Sequence, residues 1–346
     1  MEKISKTILY FCFVILITAC SKDDKDNEDK LAEDIYITGT ENNKAVYWKN
    51  GEKTILSNTN SSASSIFVTD NDDVYVAGSE GDKAVYWKNG AKTILEENDA
   101  VVNDIWVSQN DIVHAVGDKK DLTSQATDKY EAIYWKNDQE NLLYQGEKAV
   151  NILVKDETVY IVGYFKNGEV GYWKDGVQVI LPEDNVIIVD CHSIYINNNN
   201  LYIAANIITQ ESAPNTIGAY WLNNNLEELP ETENNSSSVT DITVVDEKLY
   251  ATGFEKDINN KKRPVYWAGI TKEYLPFNDI NYSSSAATGI FTVDTNKFIV
   301  GYVTETVSNT DFFGYACYWK NGVETILPDK MQYPFGVSDI FVKTSN

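Results

Sequence analysis

Arginine is nearly absent from this chain of 346 residues, and histidine and cysteine are scarce. Arg263 is the single arginine, so the chain cannot build a cluster of guanidinium groups that clamps an anionic ligand. The two histidines, His114 and His192, are far apart in the sequence, and no C-x-x-C pair occurs, so we expect no metal site. Cys191 and Cys317, the two cysteines beyond the N-terminal segment, are expected to be free, buried thiols.

Basic residues are also fewer than acidic ones. The 29 Lys and Arg residues face 52 Asp and Glu residues, which gives a formal net charge of -23. A chain this acidic repels phosphate backbones, so we expect no nucleic-acid partner. The motifs G-x-S-x-G and H-E-x-x-H and a Gly-rich phosphate loop are missing as well, so we predict neither catalytic residues nor a cofactor.

The chain does contain a targeting segment at its start. Lys3 and Lys6 precede an apolar run at residues 8–19, which is typical of a secretory signal and short for a membrane span. The run ends in LITAC at residues 16–20, which resembles the lipobox of bacterial lipoproteins. That resemblance implies a signal peptide at residues 1–19 and lipidation of Cys20, and an ordinary secretory signal with a chance cysteine is the alternative.

A charged stretch follows the cysteine. Residues 21–30 read SKDDKDNEDK, which is too charged to bury any surface, so residues 20–33 are predicted to form a flexible acidic tether. The sequence Lys22-Asp23-Asp24 resembles the export signal of Bacteroidetes surface lipoproteins. The resemblance implies a lipid-anchored outer-membrane protein that faces the cell exterior, and a plain periplasmic spacer is the alternative.

Seven copies of one repeat fill the rest of the chain. Each copy contains a Tyr-Trp pair, with a leucine eight residues after the tryptophan, and the copies recur at the spacing of propeller blades. The pairs are Tyr47-Trp48, Tyr86-Trp87, Tyr134-Trp135, Tyr172-Trp173, Tyr220-Trp221, Tyr266-Trp267 and Tyr318-Trp319. Because neighbours in a strand point to opposite faces, we interpret these aromatic residues as packing between blades rather than as a ligand platform.

Each copy holds four short runs rich in Ile, Val, Tyr and Trp, which predict four β-strands. Strand A is centred on an isoleucine, strand B usually ends in glycine, strand C carries the Tyr-Trp pair and strand D contains the leucine. Asn-Gly or Asp-Gly often separates C from D, and this pair favours a tight hairpin turn. The fifth copy of strand B has Ala205 at the glycine position.

The two ends of the repeat region complement each other. The first unit begins with strand B near Asp34, and the chain ends with an unmatched strand A around Ile340. We therefore predict an all-β fold at residues 34–346: a seven-bladed β-propeller of four-stranded blades, closed by the C-terminal strand joining the N-terminal three strands. We expect this propeller to be a monomer. The repeat, for example residues 74–95, resembles tandem repeats of uncharacterised Bacteroidetes lipoproteins, a likeness that implies no substrate.

Loop lengths differ between the two faces of the predicted disc. The A–B and C–D turns, which share one face (the turn face), have nearly constant length. The B–C and D–A connections, which share the other face (the loop face), carry all the insertions. Insertions on one face commonly mark the binding face of a repeat protein, and unconstrained drift is the alternative.

Two groups of residues are candidates for function. The residues beside the central isoleucines would ring the channel mouth, where carboxylates could bind a cation or act as acid and base, or could simply bind local backbone, which we favour. These channel candidates are Asp104, Asn151, Asp241 and Asp339, with His192 further out. The loop-face candidates are aromatic residues: Tyr130, Phe277, Tyr282, Phe312, Phe313, Tyr315, Tyr333 and Phe335.

The favoured function is a binding or scaffold module that presents its loop face to a glycan, peptide or protein, because exposed aromatic rings suit such ligands. The alternatives are a glycan-active enzyme that uses the channel carboxylates and a structural component of an outer-membrane assembly. Equally, the loop aromatics could fold back as loop cores. His114 is interpreted as a hydrogen-bonded blade residue.

Overall fold

The computed structural model describes residues 33–122, 129–182, 185–232, 236–278, 281–306 and 312–344. Within these ranges the chain forms seven antiparallel sheets of four strands each, and the helical content is one 3-10 turn at Gln109–Asp111. The protein is a seven-bladed β-propeller, as the repeat predicts. No helix in the described ranges is long and apolar enough to cross a membrane.

The strands are numbered in chain order, and blade 1 contains both ends of the described chain. The A strands of blades 1 to 7 are β28 (Phe335–Thr344), β4 (Ser61–Val68), β8 (Ala100–Ser108), β12 (Gly146–Lys155), β16 (Val186–Asn197), β20 (Ser236–Val245) and β24 (Ser284–Val293). The B strands are β1 (Glu33–Glu41), β5 (Val74–Glu80), β9 (Ile112–Lys120), β13 (Thr158–Phe165), β17 (Asn200–Thr209), β21 (Lys248–Lys256) and β25 (Asn296–Thr306). The C strands are β2 (Lys44–Lys49), β6 (Lys83–Lys88), β10 (Tyr130–Lys136), β14 (Val170–Lys174), β18 (Ile217–Leu222), β22 (Lys262–Ala268) and β26 (Phe312–Lys320). The D strands are β3 (Glu52–Ile55), β7 (Ala91–Glu96), β11 (Gln139–Leu142), β15 (Val177–Ile180), β19 (Asn225–Glu228), β23 (Thr271–Tyr274) and β27 (Val323–Gln332).

The ring is closed by antiparallel pairing of β28 with β1. The register runs from Glu33 opposite Thr344 to Glu41 opposite Phe335, with one shift after Thr38. The C-terminal strand thus supplies the strand that the N-terminal three lack, and the prediction of closure is confirmed. Closure covers the edge of β1 that would otherwise face the channel and makes β28 the inner strand of blade 1, like strand A of the other blades.

The repeated tryptophans form the cores between blades. All seven are at most 1% exposed. Trp48 of blade 1 belongs to a cluster with Phe298 and Leu327 of blade 7, so each ring fills the gap to a neighbouring blade. The indole N–H groups of Trp267 and Trp319 donate to carbonyl groups of the preceding blade at 2.8 and 2.7 Å. The tryptophans are therefore structural, and they are not available to a ligand.

The Asn or Asp residue of the C–D turns has two roles, one in its backbone and one in its side chain. In blade 2, Asn89 and Gly90 have φ values of 48° and 81°, as a tight hairpin turn requires. The Asn89 side chain also accepts a hydrogen bond from the N–H of Val74, the first residue of strand B, at 2.8 Å. Equivalent bonds are made by Asn50, Asn137, Asp175, Asn223 and Asn321. The turn residue therefore fixes both the backbone turn and the start of a neighbouring strand.

A β-bulge in strand A explains the glycine that ends strand B. In every blade the pairing of A with B shifts register just before the central isoleucine. The bulge pushes a carbonyl of strand A against strand B, so that a Cβ added at Gly78 would lie 1.9 Å from the carbonyl oxygen of Ser62. Blade 5 has Ala205 at this position, and its A–B ladder has a second register shift between Ile188 and Asp190. Blade 4, which keeps Gly163, also has a second shift, between Gly146 and Lys148.

Candidate functional site

The A strands of all seven blades enclose a central channel, and two cavities lie along it. The larger, of about 480 Å³, extends from the residues beside the central isoleucines towards the A–B turns. The smaller, of about 150 Å³, lies on the loop-face side and is lined mostly by polar residues, including His192. Both cavities are bounded by the channel candidates Asp104, Asn151, Asp241 and Asp339. The sequence analysis expects these four residues at the channel mouth, and the structure places them inside the channel, between the two cavities.

These four side chains form a hydrogen-bonded belt around the channel. Each aspartate accepts the N–H of the isoleucine that follows it and the N–H of the isoleucine in the next blade. Asp104, for example, accepts from Ile105 and Ile152, both at 2.8 Å. Asp241 and Asp339 repeat the pattern, and Asn151 accepts from the next blade only.

The belt provides a hydrogen-bond acceptor for the backbone N–H of every central isoleucine. Three aspartates with two N–H groups each and one asparagine with one N–H group satisfy the seven central isoleucines. Ser65, Ser193 and Gly289 occupy the same position in the remaining three blades. In each of these blades the N–H of the central isoleucine donates to the Asp or Asn side chain of the preceding blade. The carboxylates therefore have the backbone-binding role that the sequence analysis favours over acid–base catalysis.

The environment of the belt disfavours ionised carboxylates. Burial raises the pKa values of Asp104 and Asp241 to about 7, and it also raises the pKa of Asp339. The charge of Asp339 contributes to both of the other shifts, so the three groups interact across the channel. Among the described residues, no group of three or more His, Cys, Asp or Glu side chains is arranged to hold a metal ion.

His192 belongs to a polar cluster at the loop-face end of blade 5. Its Nε2 lies 3.0 Å from Oδ1 of Asp190, and the side-chain amide of Asn206 donates to the same oxygen at 2.6 Å. Although burial raises it, the pKa of Asp190 is lowered overall by the hydrogen bonds from His192 and Asn206. Asn206 also bonds across to Ser238 of blade 6 at 2.8 Å. This cluster ties two blades together next to the small cavity.

The predicted loop-face aromatics do not form one exposed platform. Tyr130 and Tyr333 are 39% and 72% exposed. Phe277, Tyr282 and Tyr315 are half-buried against the hydrophobic cluster that contains Trp319, and the rings of Tyr282 and Tyr315 are 5.9 Å apart. These three rings form a loop core, which is the rival interpretation.

The remaining loop-face candidates lie in blades 1 and 7. Phe335 is half-buried, and its ring centre lies 6.1 Å from that of Tyr302. Phe313 is also half-buried, and the Nζ of Lys330 lies 4.0 Å from its ring centre. The side chain of Phe312 lies outside the described part of the chain, as does Cys20.

Other candidates from the sequence have structural roles. His114 is buried between the hydroxyl groups of Ser108 and Tyr134, at 3.0 and 2.7 Å, and burial lowers its pKa to about 4. Cys191 and Cys317 are free and buried, and burial raises the pKa of the Cys191 thiol to about 12. Neither thiol is activated as a nucleophile.

Sequence reasoning missed two features of the channel. The residue after the central isoleucine is aromatic in five blades, and these rings line the large cavity: Phe67, Trp106, Tyr195, Phe291 and Phe341. The pattern is visible in the repeats, one residue after each central isoleucine. Asn206 was also missed, although it follows Ala205, the one departure from glycine at the end of strand B.

The comparisons with known proteins concern the fold. No protein-family profile and no curated protein sequence matches the chain. A puromycin-hydrolysing peptidase from Mycobacterium tuberculosis is similar in structure, with a TM-score of 0.55 and 11% identity over 82% of this chain, which spans about half (49%) of that protein. The β-propeller domain of the Trilobed protease from Pyrococcus furiosus gives a TM-score of 0.50 and 12% identity, covering 83% of this chain and 87% of that domain.

These similarities define the class of protein. At such identities they show a shared propeller fold alone. The Pyrococcus domain is described as having an open velcro topology, whereas β28 closes the ring here. The chain is a closed seven-bladed propeller similar in fold to propeller domains of peptidases.

Proposed function

We propose that the protein is a lipid-anchored surface protein that binds a protein or peptide partner on its loop face. The observation that carries this proposal is a set of apolar side chains that are exposed to solvent on that face. They come from the B–C and D–A connections or the adjoining strand ends: Leu122, Tyr130, Tyr144, Ile187, Val189, Ile258 and Tyr333. Exposed aliphatic and aromatic groups of this kind favour a protein surface over a glycan.

The route of the chain supports an outward orientation of the loop face. The described chain enters the propeller at Glu33, where strand B of blade 1 leaves the turn face. If Cys20 is lipidated, residues 20–32 attach the anchor to the turn face through at most about 45 Å of extended chain. The anchor is then attached on the face opposite the loop face, which leaves the loop face free to meet a partner.

The geometry gives less support to an enzyme. The three channel carboxylates each accept two backbone N–H groups, and the Cys191 thiol is buried with a raised pKa. A role as a structural component of a surface assembly uses the same loop face, and it differs in having a permanent partner.

Binding can be tested with matched variants of the two faces. The purified chain is screened against immobilised peptides, surface proteins and glycans. The triple variant Ile187→Ser, Val189→Ser, Tyr333→Ser should weaken binding by about tenfold or more, because it removes exposed apolar contacts worth roughly 1.4 kcal/mol or more. The control removes three apolar residues of the turn face that are at least comparably exposed, Val177→Ser, Ile270→Ser and Val323→Ser. Loss of binding in the control alone, or retention of glycans only, would contradict the proposal.

The anchor is tested separately. Cys20→Ser should move the protein from the membrane fraction to the soluble fraction, because a lipid chain supplies the membrane affinity. External protease should remove the parent protein from intact cells. Full protection would instead place the propeller inside the cell envelope.

A further inference from the structure

The larger channel cavity has the dimensions and walls of a small-molecule site. Its volume of about 480 Å³ falls within the range of roughly 300–1,000 Å³ that is usual for ligand cavities. It lies on the turn-face side of the belt, away from the proposed partner surface. We call it the channel cup: its wall is Phe67, Trp106, Tyr195, Phe291 and Phe341, and its floor is Asp104, Asp241 and Asp339.

One side of the wall is a continuous arc of aromatic rings. The ring of Phe67 lies 5.2 Å from those of Trp106 and Phe341, and Phe341 lies 4.8 Å from Phe291. All four rings are half-buried, so part of each remains open to the cavity. The opposite side is more polar, with Thr243 and the half-buried Tyr195. A flat apolar group fits against the arc.

The floor concentrates negative charge that is not balanced by a cation. Within the described ranges, the salt bridges include none of Asp104, Asp241 and Asp339. All the groups that bond to these carboxylates are N–H or O–H donors, which counter part of the rise in pKa that burial causes. Lys155 is a cationic residue of the lining, and it lies at the turn-face end of β12.

We propose that the channel cup binds a small organic ammonium ion that carries a flat apolar body. The apolar body packs against the arc of rings, and the ammonium group faces the carboxylate floor. An ammonium ion held near Trp106 also gains a cation–π interaction. An ammonium ion stabilises the ionised form of the buried carboxylates, a neutral ligand does not, and an anion is repelled by that form.

The protein contains its own reporter for this site. Trp106 lines the cup and is half-buried, whereas the seven repeat tryptophans are at most 1% exposed between blades. A ligand in the cup should therefore change the fluorescence of Trp106. Trp106→Phe keeps an aromatic ring in the wall and should abolish the signal, while calorimetry still detects binding.

The first experiment compares three probes of similar shape with the full-length protein: phenethylammonium, neutral 2-phenylethanol and anionic phenylacetate. Phenethylammonium should bind about tenfold or more tightly than 2-phenylethanol, and phenylacetate should not bind. Equal binding of the ammonium and the alcohol, or no heat with any probe at millimolar concentration, would overturn the proposal. The loop-face triple variant should bind phenethylammonium like the parent, so failure of the loop-face proposal is distinguishable from failure of this one.

The second experiment removes one floor charge. Asp241→Asn should weaken phenethylammonium binding by about fivefold or more. Asp190→Asn makes the same change of charge outside the cup and should leave the affinity within about twofold. An equal loss in both variants would contradict a local role for the floor.

A third measurement needs no variant, in case Asp241→Asn does not fold. The titratable or charged groups that line the cup are Asp104, Asp241, Asp339, Lys155 and Tyr195. Because burial holds the pKa values of Asp104 and Asp241 near 7, their ionisation increases between pH 5.5 and pH 8. The affinity for benzyltrimethylammonium, whose charge is fixed, should rise about threefold or more over that range. An affinity that is flat or falls with pH would overturn the proposal.

Discussion

The turn face and the loop face are made by the same seven repeats, yet the sequence is constrained very differently on the two. On the turn face, six C–D turns place an Asn or Asp oxygen on a backbone N–H within the first three residues of strand B. On the loop face, Tyr282 and Tyr315 build a loop core, whereas Ile187 and Ile258 are exposed. Repetition on the turn face thus reflects folding, and variation on the loop face leaves some apolar side chains packed and others exposed.

The strongest way to break this comparison is to open the ring that supports both faces. Deletion of residues 335–346 removes β28 and its whole ladder with β1. It also exposes Trp48, whose cluster includes Val337 and Ile340. We expect loss of the cooperative thermal transition or aggregation, because an edge and an apolar core become exposed. Deletion of residues 345–346 alone is the control, and equal stability of both truncated chains would argue against closure as the source of stability.

The next effect tests the close contact of strands A and B. Gly78→Ala places a Cβ 1.9 Å from a backbone oxygen and should lower the free energy of unfolding by about 2–4 kcal/mol. Gly336→Ala is the matched control, because a Cβ there meets no atom within 4 Å. Denaturant titration measures both. If the two variants were equally stable, the bulge would not explain the glycine.

The belt predicts a dependence of stability on pH. Burial raises the pKa of Asp241 to about 7 from an unfolded value near 3.9, so the folded state holds more protons between these values. The protonated side chain of Asp241 therefore stabilises the folded state at low pH, and this stabilisation is lost as the pH rises through about 7. The unfolding free energy of the parent relative to Asp241→Asn should therefore fall by about 1–2 kcal/mol from pH 5 to pH 8. A difference that grows with pH would contradict the raised pKa.

The smallest effect separates the two faces directly. Asn89→Gly keeps the positive φ of the turn but removes the bond to Val74, and should cost about 1 kcal/mol. Asn260→Gly makes the same change at a loop-face residue with φ of 60° and should cost less than about 0.5 kcal/mol. The comparison of faces would fail if the loop-face variant were the less stable of the two in denaturant titration.

Much of the scaffold was predictable because the same pattern of strand and turn residues recurs in all seven repeats. The seven central isoleucines are all 3–5% exposed, as a strand that faces a core requires. The candidate site was less predictable. Asp104 and Asn151 were assigned to the channel, but the sharing of Asp104 between Ile105 and Ile152 depends on how two blades meet. Phe277 and Tyr315 were candidates for binding, but the packing of the loops buries part of both.

The sequence by itself determined the number of blades, the four strands in each and the strand that closes the ring, because period-2 patterns, Asn-Gly turns and the unmatched ends are local signals. Only the tertiary structure decided which side chains serve the channel and which aromatics reach solvent. The bulges that orient Asp241 and Asp339, and the arc from Trp106 to Phe291, arise when seven separate segments meet at one axis. Contacts between residues so far apart in the chain leave no local pattern in the sequence.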